Sequence, residues 1–135
     1  MEIDISALER SITRLEEGIA AHLGDPLRTL IRDGLVQRFE FTYEIAHRLL
    51  RRYLALEVGP PDVVSGMNFA DVIRMGNDHG LLLGDWRRWK TYRDMRARTS
   101  HSYEEAVALE VVAGIPAFLD EARYLRDRLQ ERLTP

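Results

Sequence analysis

Apolar residues recur along this chain at helical spacing almost from one end to the other. Ile5, Leu8, Ile12, Leu15 and Ile19 are spaced 3-4-3-4, which predicts a first amphipathic helix. Gly24-Asp25-Pro26 breaks it. Leu27 to Arg32 reads as a connection or one short helical turn before Asp33, an expected N-cap. The next and longest helix is expected from about Gly34 to Leu56. Val36, Phe39, Tyr43, Ala46, Leu50 and Tyr53 form its stripe, widened by Leu35, Leu49 and Leu56. A helix apolar over so much of its circumference must touch several neighbours. Glu44 and Arg48 fall at i,i+4 on what remains of its solvated side. Gly59-Pro60-Pro61 ends the element.

A short third helix is expected after Asn68 as N-cap, with Asp71 in its first turn and Gly80 beyond its end. Gly84-Asp85 opens a fourth, carrying Trp86, Trp89, Tyr92 and Met95. Ser102-Tyr103-Glu104-Glu105 has the form of a capping box and predicts the start of a fifth. In that helix Ile115, Phe118, Ala122, Leu125 and Leu129 again run 3-4-3-4, and Pro116 inside the stripe predicts a kink or a split. No stretch alternates as a strand does. Long helices joined by short turns predict an all-α fold, an antiparallel up-and-down four-helix bundle with a short additional helix. At 135 residues and 15.6 kDa, residues 1–135 read as a single domain.

Composition narrows the function classes. The chain has no cysteine, which excludes disulfides, thiolate metal sites and a thiol nucleophile. His22, His47 and His79 are not spaced as metal ligands, so neither metal nor cofactor is expected. No apolar run approaches the roughly 18 residues of a membrane span, and the amphipathic acidic start is unlike a signal sequence. A cytoplasmic protein without membrane contact is therefore expected. A net charge of −3 argues against a general duplex-DNA binder but leaves room for a local basic cleft. The cations are arginines apart from Lys90.

One residue of the fourth helix breaks the pattern. With Trp86 at zero and about 100° per residue, Trp89, Tyr92 and Met95 fall near 300°, 240° and 180°. Arg87, Lys90, Asp94 and Arg98 fall between about 40° and 120°, the solvated arc. Arg96 falls near 280°, among the aromatics. A guanidinium on the inward arc must be paired or line a wet cleft. Five residues on comes His101, just before the expected helix start, whose free N–H groups attract anions. A bend at Thr99-Ser100 would let the two converge on a phosphate. Trp86 and Trp89 read as core or interface residues, and Thr99 and Ser100 as turn formers.

The run Arg96-Ala97-Arg98-Thr99-Ser100-His101-Ser102-Tyr103 fits the pattern R-x4-H-x-Y and resembles the motif of HEPN domains. Val36 to Ala46, VQRFEFTYEIA, looks like the main helix of the branch called nucleotidyltransferase substrate-binding proteins, and Ile115-Pro116-Ala117-Phe118 is similar too. The resemblance spans roughly residues 5–132. It implies a homodimeric bundle and a cognate minimal nucleotidyltransferase as partner, in a toxin–antitoxin module. In several such pairs the HEPN protein is a metal-independent ribonuclease, which implies a catalytic pair of Arg96 and His101 here. The partner restrains it by adenylylating the tyrosine that is Tyr103 here. The alternative implied role is a non-catalytic subunit that binds substrate or nucleotide for that enzyme. Lys90, Arg93, Arg98 and Ser100 are the candidate contacts to RNA or nucleotide. Two positions depart from the family pattern: Ala97, where a polar residue usually follows the arginine, and His47, where tryptophan is frequent.

Overall fold

The computed structural model describes residues 3–133, and these are helical apart from short connections. The elements are α1 (Ser6–Gly24), α2 (Thr29–Glu57), α3 (Pro61–Ser65), α4 (Phe69–Asp78), α5 (Trp86–Arg98), a 3₁₀ turn (Thr99–His101) and α6 (Glu105–Leu133). The long helices α1, α2, α5 and α6 form the up-and-down bundle. Pairings fix their directions. Arg38 donates to the Arg14 carbonyl at 2.8 Å and Thr42 to that of Ser11 at 3.3 Å, so α1 and α2 run antiparallel. Tyr92 reaches the Ala117 carbonyl and Arg98 reaches Glu110, so α5 and α6 do too.

The broad apolar face of α2 has the consequence its pattern predicts: every other helix packs against it. Phe39 and Phe118 meet edge to face with centroids 5.1 Å apart, and Trp89 and Tyr92 close on Phe118 from α5. The expected stripes of α1 and α6 are buried around them, from Leu8, Ile12 and Leu15 to Ile115, Leu125 and Leu129.

Several expected boundaries move, each for a tertiary reason. α2 begins at Thr29, so Asp33 lies inside it rather than capping it. The extra turn is held from α6: buried Arg32 lies 3.7 Å from Glu105 and 4.0 Å from Asp33. Glu44 does not pair with Arg48 but with Arg96 of α5. The Pro60-Pro61 pair does more than end α2. Pro61 starts the short α3, where its missing N–H costs nothing. α6 is one helix through Pro116, so the split does not occur. One ladder bond is forgone while Ile115, Phe118 and Leu119 stay buried on either side. Asn68 caps α4 as the sequence predicts, Asp85 caps α5 at the opening expected at Gly84-Asp85, and Gly80 takes the left-handed φ of +70° after α4. The Ser102 capping box does not form. The N–H of Ser102 is spent on the Thr99 carbonyl and that of Glu104 on the His101 carbonyl, so α6 starts only at Glu105.

Among the described residues, no helix is long and apolar enough to cross a membrane. Nor does any group of three or more His, Asp or Glu there assemble as metal ligands.

Candidate functional site

α5 is divided as its angular pattern predicts. Trp89, Tyr92 and Met95 are buried, while Arg87, Lys90, Asp94 and Arg98 face solvent. Arg96 stands between, its side chain 31% exposed. It turns toward α2, where its Nε donates to Glu44 Oε1 at 2.9 Å. Nη2 faces Glu40 Oε1 at 3.8 Å, too long for a hydrogen bond, and Nη1 donates to Thr99 Oγ1 at 3.2 Å. The inward arginine is thus paired, as its burial requires, but not sealed. Nη2 and one Nη1 hydrogen remain for a further acceptor.

The bend expected at Thr99-Ser100 is the 3₁₀ turn. It carries His101 out to solvent beside Tyr103, whose ring centroid is 6.2 Å away and which is itself 78% exposed. The helix start expected directly after His101 lies further along the chain. The His101 carbonyl accepts from Glu104, and α6 opens four residues after His101. The imidazole and the Arg96 guanidinium share no hydrogen bond. They are linked through the turn.

The other candidates divide. Arg93, one turn before Arg96, lies over the Phe69 ring at 5.0 Å on the α4 side, and Lys90 is exposed one turn earlier still. Arg98 is not brought to this side, because it pairs with Glu110 of α6. Ser100 donates to the Ala97 carbonyl at 3.3 Å, as a turn former does. Trp86 is half-buried against Phe69, and Ala97 is exposed.

Sequence reasoning missed the acids. Glu44 reads as solvated face and Glu40 draws no notice, because nothing local reveals that both face Arg96, more than about fifty residues away. Glu121 sits on the buried stripe of α6, fully enclosed, and accepts from the backbone N–H groups of Leu83 at 2.7 Å and Gly84 at 2.8 Å. Burial pushes its carboxyl above the ordinary glutamate value, against the pull of those two bonds. The Trp89 indole N–H approaches the same carboxylate without reaching hydrogen-bond geometry. A glutamate in an apolar stripe was the available signal. His47 is a packing residue: its ring lies between Tyr43 at 6.1 Å and Phe69 at 5.2 Å, and Nε2 accepts from Arg51 at 3.3 Å. Burial, then the Arg51 charge, lowers its pKa to about 4, so it is neutral at pH 7.

Known proteins resemble this chain in sequence and in fold. Over 99 residues the chain is 37% identical to a Haemophilus influenzae protein described as probable ribonuclease HepT, covering 73% of this chain and 67% of that one. Its fold matches that of HI0074 from Haemophilus influenzae, described as a substrate-binding domain of a nucleotidyltransferase. There the TM-score is 0.86 at 30% identity, over 94% of this chain and 99% of the other. A Thermus thermophilus protein matches at a TM-score of 0.70 and 30% identity, over 95% and 99%. The family described as nucleotidyltransferase substrate binding protein like matches residues 3–131. This chain belongs to the nucleotidyltransferase substrate-binding protein family.

Proposed function

We propose that this protein is a metal-independent endoribonuclease of the HEPN type, in a toxin–antitoxin module with a minimal nucleotidyltransferase that adenylylates Tyr103. The observation that carries the reading is the pairing of unlike groups at one turn: a partly exposed, oriented guanidinium and, five residues on, an exposed imidazole. His101 takes the proton of a ribose 2′-hydroxyl. The 2′-oxygen attacks the adjacent phosphorus, the bond to the 5′-oxygen breaks, and that oxygen takes a proton from solvent water as it leaves, while His101 later returns its proton to solvent. The products are a 2′,3′-cyclic phosphate and a 5′-hydroxyl. Arg96 holds the charge that builds on the phosphoryl oxygens through its uncommitted Nη hydrogens. Arg93 and Lys90 follow neighbouring phosphates, so binding weakens with salt. Tyr103 is exposed enough to receive an adenylate from ATP, with release of pyrophosphate. A homodimer brings two such sites toward a shared groove, and light scattering at micromolar concentration tests it.

A second reading is a non-catalytic subunit that binds substrate or nucleotide for the nucleotidyltransferase. The two carboxylates beside Arg96, which oppose an approaching phosphate, favour it. RNA cleavage in EDTA by unmodified protein separates the two. Wild type is expected to cleave and His101→Ala to stop. Undiminished cleavage by that variant removes His101 from the chemistry, and no cleavage by clean wild type favours the binding subunit. The intact mass of protein co-expressed with its nucleotidyltransferase is expected to rise by whole adenylate units at Tyr103.

A further inference from the structure

We infer that Thr99 is a positioning residue, whose buried hydroxyl ties the Arg96 guanidinium to the turn that carries His101. The inference rests on the ribonuclease reading of that pair. Thr99 is only 6% exposed, one of few buried polar side chains among the described residues. Its hydroxyl is used twice: Oγ1 accepts from Arg96 Nη1 at 3.2 Å and donates to the Arg96 carbonyl at 2.8 Å. Its own backbone N–H also donates to the Arg96 carbonyl, and its carbonyl accepts from the N–H of Ser102 at 3.2 Å. The first set of bonds holds Arg96, main chain and side chain, and the last closes the loop in which His101 sits. One residue therefore fixes both halves of the pair, which do not touch each other directly.

The consequence is rotational. With Nε on Glu44 and Nη1 on Thr99, the guanidinium plane is fixed at two points. With the Thr99 bond removed, only the Glu44 bond and the looser ion pair of Nη2 with Glu40 at 3.8 Å would restrain it. Small displacements of a charged group from its productive position cost large factors in rate, because the stabilisation is directional. Thr99→Val keeps the shape and removes both hydroxyl bonds, while Thr99→Ser keeps the hydroxyl.

The test combines kinetics with motion of the guanidinium, on the full chain. In RNA cleavage, Thr99→Val is expected to lower kcat about tenfold or more with KM within about twofold, and Thr99→Ser to recover most of the loss. The thermal midpoint of Thr99→Val is expected within a few degrees of wild type, so that lost folding does not explain the rate. Equal kcat in wild type and Thr99→Val overturns the proposal, as does a Thr99→Ser no better than the valine variant. Nitrogen-15 NMR of Arg96 reads the same tie without catalysis. Rotation about the Nε–Cζ bond is expected slow in wild type and faster in Thr99→Val. Equally fast rotation in both overturns the tie, even if wild type proves not to cleave RNA, the result that would instead remove the ribonuclease reading.

Discussion

The two ends of α5 are each held by a glutamate from another helix, and they are built to opposite purposes. At the N-terminal end Glu121 is enclosed, and each of its oxygens accepts a backbone N–H, from Leu83 and Gly84. Gly84 has no room for a side chain: a Cβ there would lie 2.8 Å from Glu121 Oε1 and from Arg88 Cβ. At the C-terminal end Glu44 is 44% exposed and grips a side chain, whose remaining donors stay open. A clasp whose acid is enclosed and whose bonds close on backbone supplies stability. A clasp that orients a charged side chain at the solvent boundary leaves that group able to act.

Breaking the closed clasp has the largest expected effect on folding. Glu121→Ala strands two backbone N–H groups and a cavity under the connection before α5. Unpaired buried donors cost about 1–3 kcal/mol each, so a loss of about 2–4 kcal/mol is expected, some 6–12 °C in the thermal midpoint. Gly84→Ala is expected to damage the same joint through steric conflict. Thermal unfolding followed by circular dichroism checks both. A midpoint unchanged in Glu121→Ala would mean that the clasp is not what holds the N-terminal end of α5.

The difference between the ends also marks what the sequence could reveal. The stripes of Leu8, Ile12 and Leu15 and of Ile115, Leu125 and Leu129 are repeated local patterns, and the bundle follows from them. The caps at Asn68 and Asp85 are equally local. Arg96 was visible because it violates its helix's own angular pattern. Glu121 breaks its own stripe in the same way, but its partners, like those of Glu44 and Glu40, were not visible, because a carboxylate's partner is set by tertiary packing across 37 to 56 residues. The Ser102 box failed for a related reason: a tighter 3₁₀ turn took the Ser102 N–H that the Glu105 side chain would have capped. Local rules find elements and anomalies, whereas the long-range bonds that explain the anomalies appear only when the chain is packed.

Proton linkage sharpens the contrast, since a buried group near one end and a half-buried group near the other respond to pH with opposite sign. The Glu121 carboxyl is raised by burial, so its contribution is full below the ordinary value of 4.5 and is lost as pH rises through its folded value. His47, one turn along α2 from Glu44, is lowered from 6.5 to about 4. Its contribution is full above pH 6.5 and is lost as pH falls toward 4, where the unfolded chain takes up the proton and the folded one does not. His47→Gln is expected to flatten the acid side of the stability profile between those values, by about 1–2 kcal/mol after allowance for the partly exposed ring. Urea titrations at a series of pH values check this. A wild-type slope retained by the variant would assign the acid sensitivity to another group.

The smallest effect on folding is expected from opening the other clasp, and that is its diagnostic value. Glu44 and Arg96 are both partly solvated, and such pairs contribute about 0–1 kcal/mol to stability. Glu44→Gln keeps an oxygen for the Arg96 Nε and removes a charge, so its thermal midpoint should lie within a few degrees of wild type. Its RNA cleavage should nevertheless change several-fold. The lost carboxylate relieves repulsion of the phosphate and tightens binding, while a weaker hold on the guanidinium lowers kcat. Opposite effects on binding and on kcat, with stability nearly constant, are what an orienting acid at an open site produces. A Glu44→Gln variant that unfolds as readily as Glu121→Ala, with its kinetics following only the folded fraction, would make the two ends of α5 equivalent and take the functional distinction away.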